Sequence, residues 1–248
     1  MDKGVFWVPK HGKRVSLAEL AFACYIYANI TDYDSSYHNF RLAISDELNL
    51  KDPHHRQVLI TWLNQWGCRQ FSKECHNLAS DEISQWYRKS GHLLPDKNLN
   101  LNELSHQELK DADEAYLSLS LKTACIRKTR AEKPSKITIG PTGASKILFA
   151  LRPASLVPWD DPIRKDLGFH SGGNAYFDYL IGIQRSLKSL QAQCLQLGFD
   201  LKDLPNILNR PLSTAPKLID EFYWVTITNK CCLPSSETLS NWMKWNIN

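Results

Sequence analysis

The sequence has no long hydrophobic run. No stretch approaches the roughly 20 apolar residues of a membrane-spanning helix, and Glu19 interrupts the best one, Leu17 to Ile30. The opening residues MDKGVFWVPKHGKR lack the apolar core of a signal peptide, so a cytoplasmic protein with no membrane partner is expected. The seven cysteines are odd in number and show no CxxC spacing. Disulfides are therefore not expected, and neither is a metal, because adjacent Cys231 and Cys232 do not readily chelate one ion. No cofactor is expected either. The segment GPTGASK at 140–146 superficially resembles a phosphate-binding P-loop, but Lys146 comes three residues too late and the chain has no αβ alternation. Charge is also unremarkable in sum: 30 Lys and Arg against 26 Asp and Glu give a net +4, which permits a nucleic-acid partner without requiring one.

What the sequence does contain is helical patterning. Ser16-Leu17-Ala18-Glu19 and Ser105-His106-Gln107-Glu108 are capping-box patterns, the second opening a helix that runs through Tyr116 towards Cys125. Val58, Leu59, Trp62, Leu63 and Trp66 share one helical face, and Ile83, Trp86 and Tyr87 indicate a shorter helix. A long helix is expected from Tyr176 to about Leu197, closed by Gly198, with short ones near 204–208, 216–226 and 236–245. Extended candidates are few, at 4–9 and 136–139. The fold class expected is mainly α.

The most informative segment runs from Ile139 to Leu167. A glycine-bearing turn (Gly140, Gly143) leads into an apolar helix, a Pro-flanked loop, and then Asp160-Asp161-Pro162 at the start of another helix. Pro162 suits a first helical turn, with Asp161 as its N-cap. Asp160 then stands just outside a helix N-terminus, where the partial positive charge favours an ionised carboxylate. Just before the turn, Arg127, Lys128, Arg130, Lys133 and Lys136 are opposed by Glu132 alone. Trp159, next to Asp160, either lines a pocket beside that carboxylate or wedges packed elements together.

Gly140-Pro141-Thr142-Gly143-Ala144 and Val157-Pro158-Trp159-Asp160-Asp161-Pro162-Ile163-Arg164 resemble the hairpin and aspartate loop of the helix-hairpin-helix DNA glycosylases, with Ala144 and Asp160 close to the family spacing. Two features depart from the family pattern. Lys133 to Ile139 is extended where the hairpin's first helix would stand, and Thr142 occupies the position of the lysine that strand-nicking relatives carry. The four-cysteine iron-sulfur array of some relatives is absent.

The resemblance implies a two-lobed helical fold: residues 1–50 pack with a C-terminal lobe at 151–248 that carries the aspartate loop, residues 51–150 form a central lobe ending in the hairpin, and Asp160 lies in the cleft between them. It implies a monomeric, monofunctional DNA glycosylase acting on double-stranded DNA, which flips a base out of the duplex and hydrolyses its N-glycosidic bond to leave an abasic site. Asp160 would stabilise the cationic sugar. Gly140, Thr142, Gly143, Lys146, Lys128, Arg130, Lys133 and Lys136 would hold DNA phosphates, with a shifted catalytic role for Lys146 left open. The specialised substrate considered first is a hypermodified phage base such as glucosylated hydroxymethylcytosine, removed in antiphage defence; damaged or mismatched bases come next. The alternatives are a DNA-binding module without chemistry and, more remotely, a nucleotide-binding regulator.

Overall fold

A computed structural model describes residues 15–45, 47–128, 133–169, 173–235, 237–239 and 241, and for Lys128 the backbone alone. The strand expected at 4–9, Arg130 and most of the helix expected at 236–245 lie outside the described residues. Those described are mainly helical, with one two-stranded antiparallel sheet. No described helix is long and apolar enough to cross a membrane.

The chain forms two compact units, Thr31–Asp161 and Met1–Ile30 with Pro162–Asn248. These divisions differ from those expected at 50 and 150, and the aspartate loop belongs to the first unit. Side-chain packing accounts for the earlier break. Helix α2 (Tyr33–Ala43) carries Tyr33, Tyr37 and Phe40 on one face among otherwise polar residues, and it buries Tyr37 and Phe40. Both rings pack on α3 (Pro53–Gln65): Phe40 stacks on Trp62 at 4.5 Å, and Tyr37 lies 6.1 Å from Trp66. Ring packing of this kind adds to the burial of apolar surface and holds α2 to the unit. Asp52 caps α3 by accepting the amide of His54, with Pro53 in the first turn.

Helices α4 (His76–Ser90) and α5 (His106–Ser120) follow, the latter opened by the expected reciprocal bonds between Ser105 and Glu108. Helix α5 stops at Ser120 instead of running towards Cys125. Residues Thr123–Lys128 form β1, which pairs antiparallel with β2 (Pro134–Thr138), so that Ile126 faces Lys136 and Arg127 faces Ser135. Thr123 and Ile126 are β-branched, a type that favours the pleated surface, and the pairing overrides the helical tendency of the preceding segment. The irregularity in register between Thr123 and Cys125 marks where the strand bends.

Helix α6 (Gly140–Leu151) continues directly from β2. From Gly143 to Leu151 every residue is buried, as expected of a helix apolar on all sides. Gly140 has φ +68°, a left-handed conformation that strains side-chain-bearing residues and lets the chain turn from strand into helix. Gly143 answers a different need: a Cβ there would lie 2.6 Å from Nε2 of Gln70, whose side chain crosses the helix start to donate to the Ile139 carbonyl at 2.7 Å.

In the other unit α1 (Leu17–Ile30) opens with the expected Ser16 and Glu19 bonds. The six-residue helix α7 (Asp161–Asp166) begins where the units meet in sequence, and α8 (Ala175–Gln196) follows it. The chain leaves α8 through Gly198 at φ +84°, the C-terminal glycine expected there. Short α9 (Leu204–Ile207) and α10 (Ala215–Tyr223) complete this unit, α10 passing into a π-helical turn, Trp224–Thr228. Its core holds a buried ionic group. Glu221, fully buried, accepts from Lys217 at 2.7 Å and from both terminal nitrogens of Arg210, while the Lys217 ammonium lies 4.5 Å from the centre of the Tyr27 ring of α1. Paired in this way, the charges escape the cost of isolated burial.

Candidate active site

The loop between α6 and Asp160 is held along its length. Arg152 Nε donates to the Pro95 carbonyl at 2.6 Å, the Leu101 amide bonds the Ala154 carbonyl at 3.0 Å, and the Ser155 hydroxyl donates to the Leu99 carbonyl. Nearer the aspartate, two consecutive residues of α6 take over. Ser145 Oγ accepts the Trp159 amide at 3.2 Å and lies 3.3 Å from the Trp159 carbonyl. Lys146 Nζ then meets Asp160 Oδ1 at 2.9 Å.

The Lys146 ammonium has a second anchor in the Trp66 carbonyl, 2.7 Å away, and lies 5.0 Å from the centre of the Trp66 ring. Trp66 is the residue at the C-terminal end of α3, where carbonyls lack helical partners and the dipole favours a cation. Lys146 thus joins three features: the end of α3, an aromatic face and the Asp160 carboxylate. Its side chain is 9 % exposed and that of Asp160 25 %. Asp160 is the more exposed partner of the pair. Cys68 sits near the pair; burial pushes its thiol up to about 11, which keeps it protonated and inert at neutral pH.

Other expected site residues are placed differently. Lys146 was expected among the phosphate contacts, but it is buried and turned towards Trp66 and Asp160. Gly143 is also buried, beneath Gln70. Trp159 is 1 % exposed and packs edge-on to Tyr116 at 5.9 Å, as a core residue does. Arg164 Nη1 also reaches the Phe169 carbonyl at 3.4 Å. Gly140 and Thr142 are half-buried at the start of α6, where no side chain caps the helix. Arg127, Lys133 and Lys136 are exposed on the hairpin. Ser145 has no role in the expected set, and its contacts with the aspartate loop connect residues too far apart for a local pattern to reveal.

Against expectation, Cys75 and Cys125 form a disulfide spanning 50 residues, with Cα atoms 5.2 Å apart. It links β1 to the turn that precedes α4. Glu74, Cys75 and Cys125 also bring their potential ligand atoms within 4.8 Å of one another, a grouping that could hold a metal only with both sulfurs reduced. The chain matches no protein-family model, no curated protein and no solved structure.

Proposed function

We propose that the chain is a monofunctional DNA glycosylase that uses Asp160. The observation that carries this reading is the pairing of a solvent-reaching carboxylate with a buried ammonium at 2.9 Å. An anion fixed on a loop held by Ser145 and Lys146 is suited to stabilising the positive charge that grows on a sugar as its N-glycosidic bond breaks, and to orienting the attacking water. The ammonium is bonded to a carbonyl and a carboxylate, so it is held as a cation and not as the free amine a Schiff base requires.

The uncapped start of α6 and the exposed Arg127, Lys133 and Lys136 supply the donors and positive charge that a phosphate backbone needs. On this reading the partner is double-stranded DNA, the protein acts as a cytoplasmic monomer, and the substrate considered first is a hypermodified cytosine of phage DNA. A second reading, a DNA-binding module without chemistry, draws on the same pair: the Lys146 charge offsets much of the Asp160 field, as in a purely structural ion pair.

One experiment separates them. The purified protein is incubated with a panel of DNAs that includes modified-cytosine phage genomes, and alkali-labile sites are counted. Sites formed by wild type and absent with Asp160→Asn support the glycosylase. DNA binding without such sites on any member of the panel would favour the module.

A further inference from the structure

We infer that Cys75 and Cys125 form a reversible dithiol–disulfide site that fastens the basic β1–β2 hairpin covalently to the turn before α4 in the oxidised state and leaves it held by non-covalent contacts alone in the reduced state.

The placement of the two sulfurs carries this inference. Cys125 lies in β1, two residues before the exposed Arg127 and across from Ile137, while Cys75 ends the short turn at Lys73–Cys75 that leads into α4. The covalent link joins the hairpin to a segment 50 residues earlier. Two hydrogen bonds run beside it, from the Thr123 amide to a Glu82 carboxylate oxygen at 3.4 Å and from Arg127 Nη2 to the Arg69 carbonyl at 3.2 Å, and Thr123 and Ala124 are buried. These contacts keep the hairpin docked without the link but hold it less firmly than a covalent bond does.

The site also suits the reduced form. Ser72 Oγ lies 3.1 Å from the Cys125 sulfur, and the Ile126 carbonyl lies 3.9 Å from the Cys75 sulfur. Each thiol formed on reduction therefore meets an oxygen able to bond it, so neither buried sulfhydryl is left unsatisfied. The sulfurs differ in access: Cys75 is 7 % exposed and Cys125 fully buried, which makes Cys75 the point of entry for a small thiol or disulfide.

The oxidant is a low-molecular-weight disulfide of the glutathione class. The Cys75 thiol loses its proton and attacks that disulfide, forming a mixed disulfide and expelling one glutathione thiolate. The Cys125 thiol then loses its proton and attacks the Cys75 sulfur, expelling the second. Two protein thiols are oxidised and one small disulfide is reduced to two thiols. A reducing compartment drives the reverse reaction, which is why a disulfide in a protein proposed for the cytoplasm is read as a switch.

The reading of the link as reversible rests on the cytoplasmic location proposed above and the effect on DNA on the proposed function, whereas the measurements of the link and of hairpin exchange depend on neither. The test uses the full chain in buffers spanning reduced to oxidised glutathione. Peptide mapping by mass spectrometry follows the Cys75–Cys125 link, and hydrogen exchange follows the amides of residues 123–138. The link is expected to titrate as one two-electron transition, with hairpin exchange about tenfold or more faster in the reduced form. Cys75→Ser and Cys125→Ser are each expected to show the fast exchange at every ratio.

A link that survives millimolar dithiothreitol, one that never forms in oxidised glutathione, or hairpin exchange identical in the two forms would each overturn the inference. So would stoichiometric zinc retained by the reduced protein, which would make Glu74, Cys75 and Cys125 a metal site instead. Affinity for a mixed-sequence DNA duplex is measured in parallel. If exchange changes and affinity does not, the switch stands and the DNA-binding role of the hairpin falls.

Discussion

The hydroxyl of Ser145 contacts both backbone polar groups of Trp159, accepting from the amide at 3.2 Å and facing the carbonyl at 3.3 Å. One side chain on α6 thereby fixes the peptide units on either side of the residue that precedes Asp160. The hydroxyl has a single hydrogen, for which the Thr142 carbonyl at 3.1 Å also competes, so its firmest contribution is as acceptor.

Asp160→Asn is expected to abolish base release while leaving DNA affinity unchanged or slightly raised, because a neutral amide repels phosphate less. Counting abasic sites on a responsive DNA, alongside a binding isotherm, checks both halves. Borohydride treatment of the wild-type reaction should trap no covalent adduct, since Lys146 is buried and ion-paired. Full turnover by Asp160→Asn would remove this residue from the chemistry.

Replacing Arg127, Lys133 and Lys136 together with Ala should weaken binding on all DNA sequences alike. Each phosphate contact contributes a slope of roughly 0.9 to the plot of log affinity against log salt, so three lost contacts flatten it by about 2 to 3. An unchanged slope would show that these exposed cations contact no phosphate.

Gly143→Ala should destabilise the fold by about 1 kcal/mol, because the added methyl displaces the Gln70 amide from the Ile139 carbonyl. Chemical denaturation measures this. With Gln70→Ala already in place the cost of Gly143→Ala should shrink, and a cost unchanged in that background would assign the strain elsewhere.

Ser105→Ala should cost about 1 kcal/mol at neutral pH, as for a lost N-cap. The Ser105 hydroxyl, followed by its backbone amide, holds the Glu108 carboxyl below its ordinary value of 4.5. A carboxyl lowered by folding adds stability that is present above its unfolded value and is lost as the pH falls through the folded one. The difference between wild type and Ser105→Ala should therefore narrow on acidification below about pH 4.5, the ordinary value of a glutamate carboxyl. A difference constant down to pH 3 would contradict the reciprocal bond.

The elements legible in the sequence were those specified by neighbours in the chain. Ser16 with Glu19, Ser105 with Glu108, and Gly198 after a long apolar repeat act over one turn, and the fold reproduces all three. Helix α2 was hidden because Asp, Ser, His and Asn are weak helix formers; its stability comes from Tyr37 and Phe40 on α3. β1 was hidden because a strand depends on its partner as much as on itself. At the site, Asp160 and Lys146 could each be named from local motifs. Their pairing, the hold of Ser145 on the loop and the Cys75–Cys125 link depend on chain reversals that no spacing rule encodes.

One unit is a continuous piece of chain, Thr31–Asp161, and the other draws on both ends. During synthesis the continuous piece is complete before α8 and α10 have been made, so it can fold first. Helix α1 is made long before its partners, which include Gln193 on Leu17, 176 residues on, Leu218 on Cys24, 194 residues on, and Trp224 against Tyr27. At about 5–20 residues per second α1 waits roughly 10–40 seconds for them. In that interval Leu20, Ala23 and Tyr27 present apolar surface that the finished protein conceals, which makes the nascent α1 a natural client for chaperones at the ribosome.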